Sequence, residues 1–382
     1  MSLVAPDDVE PVPPDLDGIL SDLRELIELE SPSSDLAAVA RSADLVARIG
    51  ASRLGEEPEQ IVIDGCTHLR WRFGGRPQRD RVLLLGHHDT VHPTGTLATS
   101  PYCVTDGILR GPGCFDMLGG LVMGIHAIAT LPDPDGVTLL VTGDEELGSP
   151  TSRGLVEDEA RGARATLVLE ASADGGALKA ARKGASQYEL EVTGRAAHAG
   201  LEPEQGLNTS VELAHQILAV SALASASLET SVTPTTAASG SALNVVPARA
   251  TLAVDVRAWT VAEQERVDAA MRALTPVEPG ITLTLRGGPN RPPMEESASA
   301  ALLAHAVRVA ESLDLPPVEA LAVGGASDGN FTAGVGTPTL DGLGAVGGGA
   351  HAAHEYVEVD RLVDRTRLVA GLVHDLLQET TA

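Results

Sequence analysis

Three short runs constrain this chain more than any other feature: RVLLL at Arg81–Leu85, VTLLV at Val137–Val141 and ATLVL at Ala165–Leu169. None of them alternates. A strand with one wet face alternates apolar and polar side chains, so an unbroken apolar run reads as a strand covered on both faces, the setting of a parallel sheet. Between the first two lies Gly119–Leu131, a small-residue helix that is apolar all round. Buried strands alternating with helices predict an α/β fold, a mainly parallel sheet flanked by helices. Each run is followed at once by acids or histidines, and sites in open α/β sheets form at the carboxyl ends of strands.

The rest of the chain divides around that pattern. Residues 1–14, acidic and proline-rich, read as a loose tail. A helix is expected from Asp15 through LDGILSDLRELIEL, ended by Ser31-Pro32, and a second over Leu36–Leu54. After about Gly184 the character changes. Gln187–Val192, Ala248–Val256 and Ile281–Leu285 alternate like half-exposed strands, and Leu207–Leu223 and Val261–Leu274 are helical. From about Ala298 the first pattern returns: a helix, a strand at Ala320–Val323, glycine-rich loops and a last helix over Asp360–Leu377. The reading is a discontinuous catalytic domain (residues 15–186 and 295–382) with a smaller α+β antiparallel-sheet domain (187–294) inserted into it.

Composition narrows the function classes. Hydrophobic residues make up 43% of the 382 and aromatics only 2%, so aliphatic side chains must fill a large core. The formal charge of −26 repels phosphate backbones and anionic lipids, which argues against nucleic-acid and membrane partners. Cys66, Cys103 and Cys114 are too few and scattered for a disulfide framework, and the N-terminus has no basic or apolar signal region. A cytoplasmic enzyme is expected.

Five segments carry chemistry: His87-His88-Asp89, Gly113-Cys114-Phe115-Asp116, Asp144-Glu145-Glu146, Leu169-Glu170 and His351-Ala352-Ala353-His354-Glu355. Histidines and carboxylates without cysteine suit a catalytic site for zinc, cobalt or manganese, and a carboxylate shared by two ions is the mark of a two-metal hydrolase. The adjacent Glu145 and Glu146 can divide the roles of base and ligand.

In this order, from about Leu83 to Val357, the segments resemble the zinc exopeptidase and deacylase family of glutamate carboxypeptidase, acetylornithine deacetylase and succinyl-diaminopimelate desuccinylase. The resemblance implies two divalent ions, most often zinc. Asp116 would bridge them, with His87 and Glu170 on one and Glu146 and His351 on the other. It also implies Glu145 as general base and Asp89 as the carboxylate behind His87. In the insert, Ala197-His198-Ala199-Gly200 resembles the segment whose histidine stabilises the oxyanion from a neighbouring subunit. Asn244 and Arg257 resemble residues that contact the substrate. The implied substrate is a small peptide or N-acyl amino acid with a free carboxylate. Local segments such as Gly287–Pro293 lean to the glutamate carboxypeptidase branch, and a homodimer through the insert is implied. Leu118 replaces a lysine common in relatives, and His88, His92 and His354 are additional histidines near the motifs.

Blander readings hold elsewhere. His68, His126, His215, His305 and His374 read as packing or capping residues, and Cys114 as a small buried one. An N-acyl amino acid deacylase or a di- or tripeptidase would use the same site. The rival of a different class is a serine hydrolase: Gly325-Ala326-Ser327-Asp328-Gly329 fits a nucleophile elbow, with Asp341 and His351 downstream. It leaves the acids at 116, 145, 146 and 170 without a task. Gly342–Gly347 fits a dinucleotide fingerprint but lacks the helix and the acidic ribose partner.

Overall fold

The three apolar runs are neighbouring parallel strands in the computed structural model, which describes residues 14–378. Val82–His87 lies between Val137–Thr142 and Ala165–Val168, so that Leu84 sits opposite both Leu139 and Leu167. Every residue of the three strands is buried, as an unbroken apolar run requires. Complete burial of each aliphatic side chain contributes about 1.5–3 kcal/mol. The short strand Thr339–Leu340 extends the sheet in parallel beyond Ala165–Val168. The other edge is an antiparallel hairpin, Glu59–Ile63 and Cys66–Arg72, absent from the sequence reading. Its two-residue turn, Asp64-Gly65, has both φ angles positive (49° and 86°), the geometry of the tight turns that match strand twist. The sheet is therefore six-stranded and mixed, with its parallel part at the centre.

Helices Leu16–Ile27, Leu36–Leu54, Gly119–Ala129 and Val359–Gln378 contribute apolar side chains to the same core as the sheet. Asp35 caps the second helix by accepting from the N–H groups of Ala37 and Ala38, and Gly55 ends it in the left-handed region. The first helix stops at Ile27, short of the expected Ser31-Pro32. Residues 31–33 instead pair with the loop after Val82–His87: Thr90 N–H donates to the Ser31 carbonyl, and Ser31 Oγ donates to the His88 carbonyl. The tail expected over residues 1–14 lies, apart from Pro14, outside the described residues. No helix among the described residues is long and apolar enough to cross a membrane.

The histidine buried in the central helix is structural. His126 Nε2 stands 2.8 Å from Asp22, which also pairs with Arg53. Burial alone would raise the Asp22 carboxyl, but these two partners hold it below the ordinary value.

Chain contacts separate two compact units. Among the described residues, the first comprises 14–180, Glu296–Val323 and 327–378; the second is Ala181–Glu295 with Gly324–Ala326. In the second unit four antiparallel strands run in the order Ser231–Ser239, Arg249–Ala258, Gly184–Thr193, Thr282–Arg291. Leu190, Val192, Leu252 and Val254 share one face and pack with Leu213, Val220, Val267 and Met271 of helices Thr209–Ser221 and Val261–Arg272. The Ser231–Ser239 strand escapes the sequence reading because it is threonine-rich and carries Pro234. It lies at the sheet edge, where proline is tolerated, and its register shifts beside that residue.

Candidate metal centre

His87 is the last residue of its strand, Glu145 and Glu146 form the turn after Val137–Thr142, and Glu170 lies two residues beyond Ala165–Val168. Parallel pairing brings these three chain ends to one edge of the sheet. Asp116 enters from the irregular turn Cys114–Leu118, where its own backbone is extended (φ −114°, ψ 97°). His351 enters on the glycine-rich loop before Tyr356–Glu358, with φ 64°. A non-glycine residue held there costs on the order of 1–3 kcal/mol and persists only where its surroundings dictate it. Close approach needs glycine at two places. A Cβ on Gly120 or Gly344 would stand 1.9 or 2.3 Å from the carbonyl oxygen of Leu169, the residue before Glu170.

The polar atoms converge. Asp116 Oδ1 lies 3.8 Å from His87 Nε2 and Asp116 Oδ2 lies 3.1 Å from His351 Nε2, so the carboxylate turns one oxygen to each histidine. His351 Nε2 is also 3.2 Å from Glu146 Oε2, and His87 Nε2 is 3.6 Å from Glu170 Oε1. Donor atoms of His87, Asp116 and Glu146 all fall within 4.8 Å of one another, as do those of His87, Glu145 and Glu170. His87 is almost fully enclosed, whereas the His351 side chain is 52% exposed and marks the open side.

These residues fit a pair of divalent ions. His87 Nε2 and Glu146 Oε1 are buried and make no hydrogen bond. An orphaned ring nitrogen among carboxylates is costly unless a cation completes it. Ligands about 2.0–2.2 Å from one ion stand about 3.3–3.6 Å apart at tetrahedral angles, close to the separations found here. Electrostatics agree. Asp116 and Glu146 push the His351 imidazole up to about 10. Burial alone would lower His87, but Asp116, Asp89 and Glu170 raise it well above its ordinary value. Burial and the neighbouring Asp116 raise Glu146. The cluster draws positive charge.

The turns are held from behind. His87 Nδ1 lies 2.9 Å from the Asp89 carbonyl and 3.4 Å from its carboxylate, so the backbone oxygen is the closer partner. The Asp89 carboxylate also accepts from the N–H groups of Glu145 and Glu146, both at 3.3 Å. Asp144 accepts from Thr151 and Ser152, and His68 accepts from Gly143 N–H while facing Thr151. Cys66, His68 and Asp144 cluster closely, but the His68 and Asp144 donor atoms are already committed to bracing the Glu145 turn. Cys114 is fully buried, and burial pushes its thiol up. His88 is buried and lies 3.1 Å from the Thr67 carbonyl. Glu355, named in the sequence only as the end of the His351 segment and given no role there, accepts from three N–H groups of the Asp116 turn and faces His92. Its signal there was only its fixed spacing of four residues after His351.

His198, Asn244 and Arg257 belong to the second unit. His198 Nδ1 accepts from the N–H groups of Gly200 and Leu201, each at 3.1 Å. That assigns the proton to Nε2 and makes Nε2 a donor. The Asn244 carbonyl accepts from Ala199 N–H on the same loop pair. Arg257 pairs bidentately with Asp255 through Nε and Nη2 (2.9 and 3.0 Å).

The serine-hydrolase reading does not survive. Ser327 is buried, and its Oγ donates to Asp341 at 2.6 Å, while the His351 imidazole faces Asp116 and Glu146. Ser327→Ala should leave turnover within about twofold and destabilise by about 1–3 kcal/mol, since it removes the hydroxyl that donates to Asp341 and accepts from Gly329 N–H. Paired kinetics and thermal melts check this; a collapse of kcat in a well-folded variant would restore the nucleophile.

Sequence and fold comparisons agree with this geometry. The family model for peptidase family M20/M25/M40 matches residues 83–375. The chain is 28% identical to carboxypeptidase G2 of Pseudomonas sp. (strain RS-16), over 94% of this chain and 89% of that protein. It is 26% identical to succinyl-diaminopimelate desuccinylase 2 of Shewanella loihica, over 81% and 88%. In fold it resembles an M20 family metallo-carboxypeptidase from Sulfolobus solfataricus, with TM-score 0.75, 16% identity and coverage of 94% and 99%. A tripeptidase from Staphylococcus aureus superposes with TM-score 0.74 at 17% identity, over 96% and 100%. Matched over most of its length, with its carboxylates and histidines gathered at one sheet edge, this chain belongs to peptidase family M20/M25/M40 and is a metal-dependent hydrolase of amide bonds.

Proposed function

We propose that this hydrolase removes the residue bearing a free carboxylate from a small peptide or N-acyl amino acid, acting as a carboxypeptidase with a preference for glutamate. The observation that carries the two-metal reading is the Asp116 carboxylate, with one oxygen toward each histidine. His87 and Glu170 would hold one ion, His351 and Glu146 the other, with zinc favoured by the nitrogen and oxygen donors. Bound there, two such ions supply Lewis acidity toward the scissile carbonyl and bring a water into the range of deprotonation near neutral pH.

The chain's own groups do the rest. Glu145, beside Glu146 and held by the Asp89 carboxylate, takes the water's proton and returns it to the leaving amine. His198, its tautomer set by Gly200 and Leu201, donates from Nε2 to the oxyanion, supplied by a second subunit joined through the inserted domain. Asp255 occupies only the Nε edge of Arg257, and the Nη1 edge is assigned with Asn244 to the substrate carboxylate. Three free cysteines support a reducing cytoplasm.

Elemental analysis, with hydrolysis of N-acyl-glutamates and dipeptides before and after chelation, tests this reading. We expect about two ions per chain, as in other two-metal hydrolases, and activity lost on chelation and regained with zinc. Equal rates on acyl-glutamates and acyl-alanines would remove the glutamate preference. Chelator-resistant turnover would remove the mechanism.

A further inference from the structure

The Glu355 carboxylate is 2% exposed and fully engaged. Its Oε1 accepts from the N–H groups of Phe115 and Asp116, both at 2.8 Å. Its Oε2 accepts from Gly113 N–H at 2.9 Å and faces His92 Nε2 at 2.8 Å. The partners lie on loops far apart in sequence. Glu355 follows His351 by four residues, His92 follows His87 by five, and the three N–H groups belong to the turn that bears Asp116. One buried carboxylate thus ties together the loops that carry His87, Asp116 and His351.

Chemistry explains why this group suits the task. The Asp116 turn leaves helical geometry at Asp116 and Met117, so its N–H groups need acceptors from outside the turn. An ionised carboxylate supplies several acceptor sites and makes hydrogen bonds roughly twice as strong as neutral ones. Facing that acceptor-only group, His92 must donate from Nε2. Asp116 Oδ2 and His351 Nε2 are 3.1 Å apart and ride on different loops, so a shift of one loop changes that separation directly.

The geometry points to Glu355, seconded by His92, as the positioning residue that sets the separation between Asp116 and His351 and thereby the metal affinity of the centre. Glu355 touches neither substrate nor ion; it acts through the Asp116 backbone. This inference rests on the two-metal reading above. Partners behind metal ligands typically change metal affinity by about 10–100-fold when replaced.

The test uses the full chain, with zinc as the probe, in competition with a chromophoric chelator. Glu355→Gln turns an amide NH2 toward backbone donors, and His92→Leu removes the side-chain donor. For each variant that melts cooperatively we expect zinc affinity weaker by about 10–100-fold, with kcat partly restored by excess zinc and KM little changed. His92→Gln, which keeps a donor near the Nε2 position, should recover most of the affinity. Should Glu355→Gln fail to fold, the contrast between His92→Leu and His92→Gln decides the matter. Wild-type affinity in folded Glu355→Gln, or equal affinity in the two His92 variants, overturns the positioning role. Absence of zinc from the wild-type chain overturns the two-metal reading instead, so the two failures are distinguishable.

Discussion

Glu145→Gln should cut kcat by about 10²–10⁴-fold while the metal content and the fold stay as they are, since this is the range that a positioned general base contributes. The substitution keeps the shape of the side chain while removing its charge and its ability to take a proton. The local frame should tolerate it, because the turn is held through its backbone: Asp89 accepts from the N–H groups of Glu145 and Glu146, and Asp144 accepts from Thr151 and Ser152. Geometry alone allows a second role, since a Glu145 oxygen lies within 4.8 Å of donor atoms of His87 and Glu170. Elemental analysis separates the two. Two ions retained with turnover nearly abolished identifies a base. Loss of one ion per chain makes Glu145 a ligand and passes the proton-transfer role to another group.

The parallel centre of the sheet was legible because burial on both faces leaves a one-dimensional trace, an unbroken apolar run. The sequence alone therefore places the residues that follow those runs at one edge. Asp116 and His351 were harder to place, since they arrive on irregular loops whose paths depend on close contacts such as Gly120 and Gly344 against the Leu169 carbonyl. Their segments stand out in the sequence as acids and histidines in tight loops, but only the family resemblance gave the two residues their roles as ligands. The edge hairpin was missed although Asp64-Gly65 is a strong turn signal, because Cys66–Arg72 mixes His68, Arg70 and Arg72 with apolar residues. Two of those charges are explained by one buried acid: Glu159 pairs with both Arg70 and Arg72, a contact across 87 or more residues that no local pattern encodes. The role of Glu355 was illegible for the same reason. Its partners are backbone N–H groups about 240 residues away, and a backbone donor has no sequence signature. Arg257 illustrates the converse. The family resemblance implied a substrate contact there, and the pairing of one guanidinium edge with Asp255, two residues away on the same strand, is the part that the resemblance did not supply.

Asp116→Asn should be the most damaging change at the centre, because it removes a group that both ions would share. The carboxylate has two equivalent anionic oxygens, one 3.8 Å from His87 Nε2 and the other 3.1 Å from His351 Nε2. An amide keeps one neutral oxygen and places an NH2 where the other stood, so at most one ion retains its ligand from this side chain. The backbone of the turn is secured by Glu355 through its N–H groups and does not depend on the side chain, so the variant should fold. Losing a shared ligand should cost more than the 10–100-fold typical of an outer partner, placing zinc affinity more than about 100-fold below wild type, with turnover lost in proportion. A second readout is independent of catalysis. Ligand linkage stabilises the wild-type chain by about 4 kcal/mol for one ion at a thousandfold excess over its dissociation constant, which appears as a rise in melting temperature on adding zinc. In Asp116→Asn that rise should shrink to a small fraction, whereas Glu170→Gln, which touches only the His87 side of the pair, should keep part of it. A full zinc-induced rise in Asp116→Asn, with two ions still bound, would mean that the two positions do not share this carboxylate and that the centre is organised around another group.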